Sequence, residues 1–163
     1  MHNSGTITRQ LFPGDGKEAV ALLLCGRRPG TERHIFTAQK IICIPYDACT
    51  TRSWDRITWP TDFVEPLIWE AYGREKAIVK IHSHNEGYRT FSPTDDASDM
   101  ALFASIGNLL DDGLPHASLV MLPSGELVGR AVNPDRELLA AIEDIMVVGV
   151  IPPEPMVRSY ATL

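Results

Sequence analysis

The stretch that most limits what this chain can fold into is residues 18–26, EAVALLLCG. It is apolar at both alternating phases, is too short for most helices and lies between glycines. Such a run predicts a central strand covered on both faces, so the chain must also supply covering layers. Residues 33–44 alternate, turn apolar and close at Pro45, which predicts a second strand joined through the RRPGTE turn. AIVKIHSH, residues 77–84, reads as a third strand. HASLVML and ELVGRAV, joined by PSG, read as a hairpin. Helices are expected at three places. Residues 62–74 set Phe63, Leu67, Trp69 and Ala71 at roughly helical spacing, with Asp62 as cap and Pro66 in the first turn. Ser92, Pro93 and an acidic first turn open a helix that runs to Leu110. RELLAAIEDIM, after Asn133 and Pro134, predicts a last amphipathic helix. The expected fold class is therefore mixed α/β, with at least five strands and about three helices.

Composition narrows the functions available to such a domain. At 163 residues the chain fits one domain, expected over residues 1–149 with a proline-rich tail at 150–163 that carries no functional reading. A net charge of −6 argues against gripping a phosphate backbone, so no nucleic-acid partner is expected. The basic cluster Arg27, Arg28 and Arg33 reads as a solvated turn. Cys25, Cys43 and Cys49 have apolar neighbours and form no CxxC pair, which suggests buried, reduced thiols rather than a zinc ribbon or redox site. The start lacks the basic and apolar segments of a signal peptide, and no run approaches a membrane span. A cytoplasmic location without membrane attachment is expected. Trp54 and Trp59 read either as packing at the core edge or as the wall of a binding groove.

The chemistry is concentrated in residues 82–95, HSHNEGYRTFSPTD. His82 and His84 are two apart at the end of a strand, so alternation puts both imidazoles on one face. If Ser92 caps the following helix, Asp95 sits in its first turn and points back toward the strand end. Two imidazoles and a carboxylate leave a fourth position for water, which is the layout of a catalytic zinc site. Hydrolysis then needs a base, and Glu18 at the head of the apolar strand is the best candidate. The Ser92 hydroxyl is a candidate donor to a developing oxyanion. Helix capping by itself also explains Ser92 and Asp95, and the two roles are compatible. Asp96 and Asp99 read as partners behind the ligands or simply as an acidic first turn. His34 and His116 are isolated and receive no role. There is no GxSxG elbow, P-loop, GxGxxG fingerprint or HExxH pair.

With a glutamate on an apolar strand ahead of it, the pattern H-x-H, seven residues, S, two residues, D resembles the JAMM (MPN-plus) metalloprotease family. The likeness extends over about residues 8–133. It implies a JAB/MPN domain, a cytidine deaminase-like mixed β-sheet flanked by helices. It further implies zinc on His82, His84 and Asp95, with Glu18 as general base and Ser92 stabilising the tetrahedral intermediate. Asn85 stands where the family often has proline. The family's helix ahead of the glutamate strand is barely present, in residues 6–12, and the long ubiquitin-recognising insertions have no counterpart.

The overall look is closer to bacterial JAB proteases encoded beside E1-like (ThiF-type) enzymes. The resemblance implies a deubiquitinase-like isopeptidase that releases a ubiquitin-like protein or another C-terminally conjugated polypeptide. Its setting would be a bacterial conjugation or antiphage defence operon, with E1- or E2-like enzymes as further partners. The extended substrate tail would lie along the sheet edge or a groove near the site as an added strand. Two other readings stay open: a C-terminal processing protease for a sulfur-carrier protein, and a non-catalytic MPN scaffold that binds partners.

Overall fold

The computed structural model describes residues 3–31 and 33–146. Helix α1 (Asn3–Leu11) precedes strands β1 (Val20–Arg28) and β2 (Ile35–Cys43). A small hairpin follows, β3 (Thr51–Arg52) and β4 (Ile57–Thr58), and then helix α2 (Glu65–Ala71) and strand β5 (Lys76–Ser83). Helix α3 (Pro93–Leu110), strands β6 (His116–Met121), β7 (Leu127–Asn133) and β8 (Leu138–Ala141) complete the order. The main sheet runs β2-β1-β5-β6-β7-β8. β5 and β6 are parallel and the other neighbours antiparallel, so the sheet is mixed, as expected. The parallel pair needs a crossover, and α3 supplies it.

The all-apolar β1 has the two-sided burial its composition demands. Val20, Leu22 and Leu24 face α2 and α3, meeting Leu67, Ala71, Phe103 and Ile106. Ala21, Leu23 and Cys25 face the opposite side, where they share a core with their β5 neighbours Val79 and Ile81 and with Ile7 and Leu11 of α1. α1 is thus a full covering helix, longer than the 6–12 remnant expected. The three cysteines are free thiols, but only Cys25 is fully buried; Cys43 and Cys49 are half-buried.

Four further sequence expectations need correction, the first being that Arg27 does not lie in a solvated turn: it is buried in β1 and pairs with Asp112. The last helix does not form. After a short turn at Pro134–Arg136, Glu137 takes a left-handed backbone (φ 49°), and β8 pairs with β7 in the register Asn133↔Leu138. The apolar spacing of RELLAAIEDIM suits a helix, but the open hydrogen-bonding edge of β7 captures the segment instead. Beyond β8, Ile142 and Ile145 pack on the α1 face, where the missing Cβ of Gly129 leaves them room. Asp62 does not cap α2; it lies in a single 3-10 turn, and Val64 is the N-cap. Trp69 points outward at 70% exposure, leaving Leu67 and Ala71 as the buried residues of α2. The expected tail at 150–163 lies outside the described residues. Among the described residues, no helix is long and apolar enough to cross a membrane.

Candidate metal centre

β5 ends at Ser83, and the antiparallel register sets Val20 of β1 opposite His82. The pairing continues beyond the strands: the Ser83 N–H donates to the Ala19 carbonyl (3.0 Å) and the Ala19 N–H to Ser83 Oγ (2.9 Å). Two further residues along, Glu18 comes abreast of His84 on the face that His82 shares.

α3 begins beside this strand end. Ser92 is its N-cap, accepting from the Asp95 N–H (3.1 Å), while the Asp95 carboxylate accepts from the Ser92 N–H and Oγ–H, both at 2.8 Å. This reciprocal capping box turns the Asp95 carboxylate back toward the histidines. Its oxygens lie 3.1 Å from His82 Nε2 and 3.6 Å from His84 Nε2, and the two ring nitrogens are 3.1 Å apart.

His82, His84 and Asp95 therefore form a group that could hold a metal ion. Ligand atoms around a tetrahedral ion with bonds of 2.0–2.1 Å stand about 3.3 Å apart, the spacing seen here. The donor chemistry agrees. His84 Nδ1 lies 2.8 Å from the Tyr88 carbonyl, an acceptor only, so Nδ1 carries the proton and Nε2 presents its lone pair to the group. Burial lowers the His82 imidazole to about 4, which keeps it neutral and able to donate electrons. Burial also disfavours a charged His84, but the Asp95 carboxylate and the Tyr88 carbonyl outweigh it and raise the ring above its ordinary value. Burial pushes Asp95 up, yet the two imidazoles beside it in the metal-free chain prevail and hold its carboxyl well below the carboxylate range.

Glu18, Ser92, Asp95 and His82 line one small pocket of about 30 Å³, room for a water or two. Asp55, Arg56 and Trp59 overhang it from the hairpin side. Glu18 is buried, and burial pushes its carboxyl up to about 7 against a smaller opposing pull from His84. The five predicted site residues thus come together. Ser92 reaches the pocket with its hydroxyl engaged by Asp95, so donating elsewhere requires that hydroxyl to turn. A larger open concavity of about 420 Å³, lined by Pro29, His34, Gly113 and Arg136, shares none of these residues. His116, unassigned from sequence, is a buried structural residue that accepts the Ile78 N–H through Nδ1 at 3.0 Å.

One support escapes the sequence reading and a second is read only in part. Glu18 lies outside the β1 ladder, and the hairpin holds its backbone: the Glu18 N–H donates to the Ser53 carbonyl (2.7 Å) and the Glu18 carbonyl accepts from Arg52 Nε (2.8 Å). Arg52 is itself fixed by a two-pronged pair with Asp15 (2.5 and 3.0 Å) and by the Tyr46 ring, 4.2 Å away. The second support is an ionic layer in which Asp99 pairs with Lys80 and Arg130. Of its members the sequence reading offers Asp99, as a partner behind the ligands or simply part of an acidic first turn; Lys80 and Arg130 are not singled out. Trp59 packs against the core and walls the pocket, so both readings of it apply, whereas Trp54 is exposed.

No protein-family model matches the chain, and no curated protein matches it. The class that fold and site define is a mixed α/β protein with a two-histidine, one-aspartate candidate metal centre at the end of a central strand.

Proposed function

We propose that the chain is a zinc-dependent isopeptidase of the JAMM (MPN-plus, JAB) type, with its mixed sheet as the JAB/MPN, cytidine deaminase-like fold. Its substrate is a ubiquitin-like protein, or another polypeptide, joined through its C-terminus to a target amine. It works in the cytoplasm, in a bacterial conjugation or defence operon with E1- and E2-like partners. The observation that carries this reading is the convergence of His82, His84 and Asp95 on one point, beside a small pocket that His82 and Asp95 line together with a second, buried carboxylate, Glu18.

His82 and His84, through Nε2, and Asp95, through its carboxylate, would hold zinc; three protein ligands leave a position open, as hydrolysis requires. The ion supplies Lewis acidity there and lowers the pKa of water toward about 7. Glu18, pushed up to about 7, is matched to taking a proton from that water at neutral pH. Its carboxylate accepts the proton as the water oxygen attacks the scissile carbonyl carbon. The Ser92 Oγ–H, released from Asp95, donates to the carbonyl oxygen as negative charge builds on it. Glu18 then returns the proton to the departing lysine amine, the carbon–nitrogen bond breaks, and base and acid are one group. Among the described residues no strand pairs with the outer edge of β2, which supports docking of an extended tail as an added strand.

The test is cleavage of a lysine conjugate of a ubiquitin-like protein by the zinc-loaded chain. The conjugate is expected to be split, and Glu18→Ala is expected to abolish splitting while retaining about one zinc per chain. Full activity in Glu18→Ala removes Glu18 as the base. Cleavage of linear precursors alone, never of conjugates, transfers the assignment to a sulfur-carrier processing protease. A chain that takes up no zinc is a scaffold.

A further inference from the structure

Beside and behind the metal ligands, with Lys80 also lining the Glu18 pocket, lies a layer of buried charge to which the proposed chemistry gives no role. Lys80 is two residues before His82 on the same face of β5. The sheet register places Ser118 of β6 beside Lys80, and Arg130 of β7 beside Ser118. Asp99 descends onto this row from α3 and is wholly buried at 0% exposure; Lys80 and Arg130 are also buried. Lys80 pairs with one carboxylate oxygen of Asp99, and Arg130 Nη2 with the other at 2.6 Å. Arg130 also pairs with Asp96, and its guanidinium lies 3.8 Å over the ring of Phe91, the residue before the N-cap.

This layer is a poor way to gain stability. Desolvating several charges offsets most of their attraction, and well-packed apolar side chains of similar volume usually do better. The buried hydroxyl of Ser118, which has no hydrogen-bond partner among the described residues, adds to the cost. The distribution of contacts along α3 suggests what the layer does. The C-terminal half of the helix is seated by Leu102, Phe103, Ile106 and Leu110, whereas Asp99 is the first buried residue from its N-terminus. The turn that carries Asp95 therefore has ionic anchors in place of apolar ones. Asp95 and Asp99 are four residues apart, on the same side of the helix, so fixing Asp99 fixes the rotation that aims Asp95. Apolar contacts tolerate small slides and rotations, but a fork of charge-assisted hydrogen bonds does not.

We propose that Asp99, Lys80 and Arg130 are the positioning residues of the metal centre: they lock the first turn of α3 to β5 and β7 so that Asp95 meets the two histidines. The proposal rests on the metal-centre reading above. It makes Asp99 the second point of a two-point attachment, with the capping box at Ser92 as the first. It also gives Lys80 a reason to be a cation within a buried strand.

Cobalt(II), titrated into the metal-free full chain, is the probe, since its visible spectrum reports tetrahedral geometry as well as affinity. The triple variant Lys80→Met, Asp99→Leu, Arg130→Met replaces the layer by apolar packing. It is expected to unfold in denaturant no earlier than wild type, yet to bind cobalt about 10- to 100-fold more weakly with a diminished tetrahedral spectrum. Wild-type affinity and spectrum in the triple variant overturn the proposal. If the triple variant does not fold, Arg130→Lys decides, because it keeps the charge and loses the fork that holds Asp96 and Asp99 together. A several-fold loss of cobalt affinity supports the proposal, and wild-type affinity overturns it. Asp95→Ala is the control that removes a ligand outright. If wild type itself binds no cobalt, the metal-centre reading fails and this proposal with it; if wild type binds and the variants match it, only this proposal fails.

Discussion

The two sides of the candidate site are held by different kinds of structure. On the ligand side, His82 is an integral residue of a central strand and Asp95 sits in the capped first turn of an 18-residue helix. On the base side, Glu18 precedes the β1 ladder, and its backbone bonds run to the small hairpin, through Ser53 and Arg52. Ligands need to be fixed relative to one another within a fraction of an ångström, and regular elements do that best. A base that collects a proton and returns it elsewhere is well served by an anchored loop, since loops on a rigid scaffold carry much of functional chemistry. The division predicts that damage to one side leaves the other working.

The largest expected effects test that separation. Asp95→Ala removes a ligand and is expected to lower zinc affinity by at least 100-fold, with cleavage lost as a consequence. Glu18→Gln keeps the shape of the base but cannot accept the proton, so cleavage is expected to fall by about 100- to 10,000-fold. Zinc content, measured by elemental analysis after gel filtration, stays near wild type in Glu18→Gln and collapses in Asp95→Ala. If Glu18→Gln also loses its metal, the two sides are one unit and the comparison fails.

How much of this was legible in sequence divides along the same line. His82, His84, Ser92 and Asp95 lie within one strand–loop–helix unit, where alternation and capping rules operate over a few residues and suffice to place them. The central strand was legible because two-sided burial leaves an apolar run with no polar phase. What escaped depends on partners far along the chain. Arg52 meets Glu18 across 34 residues and Arg130 meets Asp99 across 31, and no local spacing announces either pair. The error at the C-terminal end has a related cause. Residues 136–146 show helical apolar spacing, and only the edge that β7 offers, a tertiary fact, decides for a strand at 138–141. Trp69 was misplaced because an apolar side chain at roughly helical spacing need not face the core; its indole N–H donates to Glu65, one turn back (3.3 Å).

Arg52 sharpens the comparison by weakening the base side alone. Its guanidinium bridges the Glu18 carbonyl and the Asp15 carboxylate while lying over Tyr46, so no single contact can be lost without loosening the others. Arg52→Gln is expected to reduce kcat by about 10- to 100-fold through misplacement of the base, with little change in KM. Cobalt affinity and spectrum are expected to match wild type, because none of the ligands touches this support. Arg52→Lys is expected to rescue little, since an ammonium cannot span both acceptors with the geometry of the fork. An Arg52→Gln chain with normal kcat places the hold on Glu18 in Ser53 alone.

The smallest predicted effect concerns the metal-free protein, where the Glu18 carboxyl is titrated by its surroundings rather than by an ion. Burial pushes it from 4.5 up to about 7 in the folded chain. Its folded value is above its unfolded one, so its contribution to stability is full below about pH 4.5 and fades as the pH climbs through 7. Over that interval the unfolded chain has already released the proton that the folded chain retains, and mass action favours unfolding. Water at the pocket mouth screens the charge, so the loss amounts to about 1 kcal/mol rather than the full value of the shift. Glu18→Gln cannot titrate and is expected to abolish this slope. Denaturant midpoints of chelated wild type and variant, taken at pH 5 and pH 8, give the comparison as a difference of differences, in which groups uncoupled from Glu18 cancel and the linked titration of His84 is counted with that of Glu18. Wild type is expected to lose ground to the variant between the two pH values. Parallel curves mean that the Glu18 carboxylate stays hydrated in the metal-free chain, leaving the base side open to solvent until an ion or a substrate closes it.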